Sequence, residues 1–281
     1  MNTLKTGVLL VALTLILIYG GAAVAGQQGM TIALVLAVVL NFGAYFYGDK
    51  IALRMSRARP VSREQAPRMY EAMERLCGRT GLPLPRLYII PEAQPNAFAT
   101  GRSPSKASVA ATAGLLEVMN DEELEGVLAH ELAHVRNRDT LIMSVAATIA
   151  GAITYAAHLG YFAALFGGGG RGRNGGGNAF VMLLMLILAP LAAMMIQMAI
   201  SRQREYAADA AAARFIGHGY GLASALEKLG SYSKRVPMRR VEPSQAHMFI
   251  IHPLSGGGMA KLFSTHPPVE ERIRRLRALT V

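Results

Sequence analysis

Four stretches of this chain carry no Asp, Glu, Lys or Arg and consist mainly of apolar side chains: Gly7 to Ala25, Met30 to Tyr47, Thr140 to Phe166 and Asn178 to Ile200. A helix needs about 20 such residues to cross the hydrocarbon core of a bilayer, and each block is about that long. With 52% hydrophobic residues, no tryptophan and a mean hydropathy of +0.29, the chain is too apolar for an ordinary soluble domain. The expectation is an integral membrane protein with four spans. Ala, Thr, Tyr155 and His158 dilute the third block, so it could instead lie in the membrane interface or pack against the protein.

Lys5, the first apolar run and Ala23 to Ala25 also resemble a cleaved signal peptide. The run is long for that purpose, and a second apolar segment follows within a few residues, so a retained hairpin over 1–48 is expected. Lys50, Arg54, Arg57, Arg59 and Arg63 crowd the end of the second block, whereas the turn Gly26 to Gly29 has no charge. The positive-inside rule places that basic side in the cytoplasm. Arg136, Arg138, Arg202 and Arg204 flank the second pair of blocks on the same side. The loop Gly167 to Gly177 then faces outward, where Arg171 and Arg173 run against the rule, and its glycines read as a flexible linker.

The organisation that follows is a hairpin over 1–48, a first cytoplasmic part over 49–139, a second hydrophobic hairpin over 140–200 and a second cytoplasmic part over 201–281. The two cytoplasmic parts, about 90 and about 80 residues, suffice together for one compact domain. In the first, Pro60 to Arg79 reads as a helix with Pro67 near its first turn. Leu87 to Gly101 reads as a strand leading to a turn, and Lys106 to Met119 begins with strand-like alternation. A net charge of +11 raises the question of nucleic acid. No nucleic-acid module is recognisable, and many basic residues sit beside the apolar blocks, where anionic lipid is the better partner. The tail Glu270 to Leu279 reads as a basic amphipathic helix with a solvated face. The single cysteine, Cys77, excludes internal disulfides and a cysteine-based zinc cluster.

The chemistry lies in Val127 to Thr140, VLAHELAHVRNRDT, where His130, Glu131 and His134 form His-Glu-x-x-His. Residues four apart share a helical face, so both imidazoles can reach one zinc while Glu131 points to the water beside it. Asn120 and Glu123 have capping-box spacing, and Leu124, Leu128, Leu132 and Val135 would bury one stripe. Hydrolytic zinc usually has three protein ligands, so a third must come from elsewhere. In Ser201 to Gly217, a helix by composition, Glu205 and Asp209 stand four apart. Glu205 can complete the site and Asp209 can orient a ligand histidine. Pairing of these acids with Arg202 or Arg204 on a solvated face is the alternative.

HELAH, the downstream SRQREYAAD, the earlier PNAFATG (Pro95 to Gly101) and the late STHPPVEERI (Ser264 to Ile273) resemble the HtpX membrane metallopeptidases, relatives of the zinc-type CAAX prenyl endopeptidases. The resemblance spans nearly the whole chain. It implies a mainly α-helical integral membrane protein with a small α+β, gluzincin-like zinc protease domain. The implied activity is a bacterial inner-membrane endopeptidase, facing the cytoplasm, that acts on damaged or misfolded membrane proteins. By position, His130, His134 and Glu205 match the ligands of one zinc per chain, Glu131 matches the catalytic base, and Asn96 and His266 match substrate or transition-state contacts. The segment near Ser108 to Ala113 could accept an extended peptide along its edge. His158, His218, His247 and His252 read as structural. Two other readings are a CAAX-type processing enzyme and a catalytically silent membrane scaffold. Against a transporter, the four blocks hold no ionisable group except His158.

Overall fold

The N-terminal helical residues, α1 (Asn2–Met55), do not run straight. The side-chain amide of Asn41 donates to the Leu10 carbonyl at 3.3 Å and to the Thr14 hydroxyl at 2.8 Å. In a straight helix those 31 residues would span roughly 46 Å. The chain reverses at Gly26, whose φ of +56° is open to glycine and rare for L side chains. Gly26–Met55 is long and apolar enough to cross a membrane. Ile32, Val35 and Val39 are 60% or more exposed along it, a surface suited to lipid rather than water. This computed structural model describes residues 2–145, 202–235 and 267–279. The glycine-rich loop, the fourth block, most of the third, and His158, His247, His252 and His266 lie outside the described residues.

A four-stranded sheet follows, in the order β1-β2-β4-β3, from β1 (Arg59–Pro60), β2 (Arg86–Ile90), β3 (Ala97–Thr100) and β4 (Ser108–Thr112). β2 and β4 run parallel, while β1 and β3 are antiparallel to their neighbours. Side chains alternate between two covered faces. Leu87, Ala97, Ala99, Val109 and Ala111 join the main core, whereas Ile90, Phe98 and Ala110 pack with Leu53 at the end of α1. The apolar helix is thus seated directly on the sheet.

Two expectations for this region change. The helix expected from Pro60 starts at Pro67, as α2 (Pro67–Thr80), because Pro60 favours an extended Arg59 and both residues pair with β2. The segment expected to offer a free edge, β4, is hydrogen-bonded on both sides, and among the described residues the strand outside it is β3, whose four residues are themselves buried. Asn96 and Thr112 bond through their backbones, so the alternation of antiparallel pairs turns the N–H and C=O groups of Ala97 and Ala99 outward.

After the short α3 (Ala113–Val118) comes the motif helix, α4 (Asp121–Arg136). Its capping box is complete: the Asn120 side chain accepts from the Glu123 amide, and the Glu123 carboxylate accepts from the Asn120 amide. α4 runs through the core, packed by α2, β3, α5 (Arg202–Ile216) and α6 (Tyr220–Arg235). Two glycines permit the α4–α6 crossing. A Cβ on Gly126 would lie 2.5 Å from the Leu222 nitrogen, and one on Gly221 would lie 2.4 Å from the Glu122 carbonyl oxygen. The last helix, α7 (Val269–Ala278), lies on α6 and α5.

Candidate active site

His130 and His134 project from one face of α4, and Glu205 meets them from the first turn of α5. All three are buried. The two Nε2 atoms are 3.2 Å apart, and each lies 3.6 Å from a different carboxylate oxygen of Glu205. Atoms bound to a tetrahedral zinc at about 2.0–2.2 Å stand roughly 3.3–3.6 Å from one another, so these three groups fit such an ion in chemistry and spacing. The solvated alternative for Glu205 and Asp209 does not occur.

Each imidazole is braced from behind. Nδ1 of His130 lies 2.9 Å from Oδ1 of Asp209, one turn beyond Glu205 on α5. Nδ1 of His134 lies 3.0 Å from Oδ2 of Asp139. Both arrangements turn Nε2 toward the common centre. Burial works against a charge on His130, but Asp209 and Glu205 outweigh it and raise its pKa to about 9. This is a centre that favours a cation. Glu131, also buried, has its pKa raised chiefly by burial and further by Glu205, although both histidines and the backbone N–H of Ala99 pull the other way. The carboxylate therefore sits between the two histidines and the outward N–H of Ala99 on β3.

Sequence reasoning missed two members of this cluster. Arg272, placed on a solvated tail helix, is completely buried. Its Nε and Nη2 donate to the Asp209 carboxylate at 2.8 and 2.7 Å, and its Nη1 lies 3.5 Å from Glu205. The signal was present, since Val269, Ile273 and Leu276 form an apolar stripe and Arg272 falls on it. Asp139 was missed because five residues from His134 is the wrong side of a continuous helix. The chain leaves α4 through Arg138, at φ +57°, and re-enters helix at 139. Asn96, at the head of β3, is buried, with its amide donating to Thr112 Oγ1 and its carbonyl accepting from the Thr112 amide. His218, read as structural, lies apart, 3.9 Å from Glu122.

Two histidines and a glutamate converging on one point, a buried glutamate beside them and the outer strand of the sheet along the site define a metallopeptidase. The profile of peptidase family M48 matches residues 63–280, and the chain belongs to that family. It is 53% identical to a protease HtpX homolog of Syntrophotalea carbinolica and 51% identical to one of Pelotomaculum thermopropionicum, covering all of both chains in each case. Its fold is also similar to the crystal structure of S. mikatae Ste24p, with a TM-score of 0.52 and 21% identity, over 96% of this chain and 62% of that one.

Proposed function

We propose that this metallopeptidase is a zinc endopeptidase of the bacterial inner membrane, with its site on the cytoplasmic side and damaged or misfolded membrane proteins as substrates. The observation that carries the reading is the convergence of both Nε2 atoms and the Glu205 carboxylate beside Glu131 and the outer strand β3. His130, His134 and Glu205 would hold one zinc, and Asp209 would support His130. When bound there, zinc supplies the Lewis acid that polarises the scissile carbonyl and acidifies water.

The protein's own groups do the rest. An extended peptide pairs with the outward N–H and C=O of Ala97 and the C=O of Ala99, while the Ala99 N–H faces the Glu131 carboxylate, a mode that reads backbone and tolerates many side chains. Glu131 takes the proton of the attacking water and passes it to the leaving amine, and its raised pKa suits an acid–base group that must both accept and release a proton. Asn96 holds the substrate backbone at the head of β3, and His266 donates to the developing oxyanion. The apolar helix Gly26–Met55, seated on the sheet through Leu53, sets the site against the bilayer. The HtpX names of the relatives favour this reading over a prenyl-specific processing enzyme.

The experiment is to purify the wild type and Glu131→Gln, measure bound zinc, and identify cleavage products of a membrane-protein substrate by mass spectrometry. The expected result is one zinc per chain in both and cleavage by the wild type alone. Cleavage by Glu131→Gln near the wild-type rate would remove Glu131 from the mechanism, and a wild type without zinc would refute the reading.

A further inference from the structure

The support behind His134 is built differently from that behind His130. The Asp209–Arg272 pair lies wholly within the helical half of the site. Asp139 stands where the chain leaves α4 for the third hydrophobic block, and its facing cation, Arg204, stands where the chain returns from the fourth. Nη1 of Arg204 is 3.9 Å from Oδ1 of Asp139, and Arg204 immediately precedes Glu205 on α5. Both side chains are largely buried, Asp139 at 2% exposure and Arg204 at 13%. Burial leaves little solvent between or around them to screen the attraction.

Two further observations show that the chain is shaped to put Asp139 there. Arg138 holds φ +57°, a conformation that L side chains rarely adopt, and without it residue 139 would point away from His134. The helical turns over 139–145 are also tied to the substrate side of the sheet. Thr140 Oγ1 donates to the Gly101 carbonyl at 2.7 Å, and the Ser144 and Thr100 hydroxyls are 2.8 Å apart. The residues that open the third hydrophobic block therefore touch both the brace of His134 and the end of β3.

We propose that Asp139 is a positioning residue for His134, held by Arg204, and that metal retention depends on this pair. The inference rests on the proposed zinc reading. A carboxylate behind a ligand imidazole fixes its tautomer and raises its basicity, and removing one typically weakens metal binding about 10- to 100-fold. A carboxylate that merely began the helix at 139 would affect stability and leave zinc retention alone.

The test is zinc transfer from the purified, detergent-solubilised full chain to a chromophoric chelator. Asp139→Ala should release zinc about 10- to 100-fold faster than wild type, and Asp139→Asn, which keeps an acceptor but loses the charge, should fall between. Release from Asp139→Ala within twofold of wild type overturns the proposal. If that variant does not fold, Asp139→Asn decides, with release several-fold faster supporting the role and wild-type release refuting it. Arg204→Gln should also speed release, and its effect should shrink in the Asp139→Asn background, because the two act as one unit. Independent, additive effects would break the link to Arg204. A wild type that binds no zinc refutes the proposed function instead, so the two failures are distinguishable.

Discussion

Arg272 grips Asp209 with two parallel hydrogen bonds, Nε to Oδ2 at 2.8 Å and Nη2 to Oδ1 at 2.7 Å, and no part of the arginine reaches solvent. The planar guanidinium matches a carboxylate in this two-point manner, and lysine cannot reproduce it. Asp209 in turn backs His130. A residue 63 positions further along the chain thus governs the setting of the His-Glu-x-x-His helix.

Arg272→Met should destabilise the protein by about 3–5 kcal/mol, because it fills the space while leaving the Asp209 charge buried without its cation. Denaturant titration of the metal-free protein checks the size. The double variant with Asp209→Leu should recover part of the loss.

Acid should act through Asp209. Burial alone would raise its pKa, but Arg272 and His130 outweigh that and lower it from 3.8 to about 2. A depressed carboxylate contributes stability above its unfolded pKa and loses it as the pH falls through the folded one. The window is therefore from about pH 4 down to about pH 2, and the contribution is on the order of 2 kcal/mol. In metal-free protein, Asp209→Asn should flatten the stability profile across that window, and an unchanged slope would refute the assignment.

Glu205→Ala should lose both metal and activity, since it removes a carboxylate that faces both Nε2 atoms. Stoichiometric zinc by elemental analysis in a folded variant would mean that another residue completes the ligand set.

Gly126→Ala should destabilise by about 1–3 kcal/mol, because the new methyl meets backbone of α6 rather than a yielding side chain. The midpoint of thermal unfolding reads this out. A neutral result would show that the α4–α6 crossing relaxes freely.

The substrate edge should work best close to the bilayer. Phe98 of β3 packs with Leu53 of α1, and the guanidinium of Arg102, just beyond β3, lies 5.0 Å from the centre of the Phe46 ring. Moving a cleavable sequence away from a membrane anchor on an extended spacer should reduce cleavage stepwise. Equal cleavage at every spacer length, matching the free peptide, would show that the bilayer does not limit access.

What the sequence reveals and hides here follows from chain distance. The motif helix was legible because its signals are local: Asn120 and Glu123 are three apart, and His130 and His134 are four apart. Glu205 was legible as a candidate third ligand from its helix and from Asp209 four residues on, and the resemblance matches it to the same role. The edge strand was hidden because Ala97 to Thr100 is short and follows Pro95, so a turn reads equally well. Asp139 was hidden behind an arginine in a left-handed conformation that composition does not announce. Arg272 was hidden because an arginine on an apolar stripe is ordinarily a snorkelling surface residue, and only the fold brings Asp209 to meet it.

The site is assembled from pieces that leave the ribosome in a fixed order. His130, Glu131 and His134 are made first, followed by Asp139 at the mouth of the second hydrophobic pair. Arg204, Glu205 and Asp209 follow after roughly sixty intervening residues, and Arg272 is later still. During synthesis the motif helix therefore exists for a time with neither its glutamate nor the arginine that neutralises Asp209. The three candidate ligands are thus all present once Glu205 has been made, whereas the charge behind His130 waits for the last helix to bring its cation.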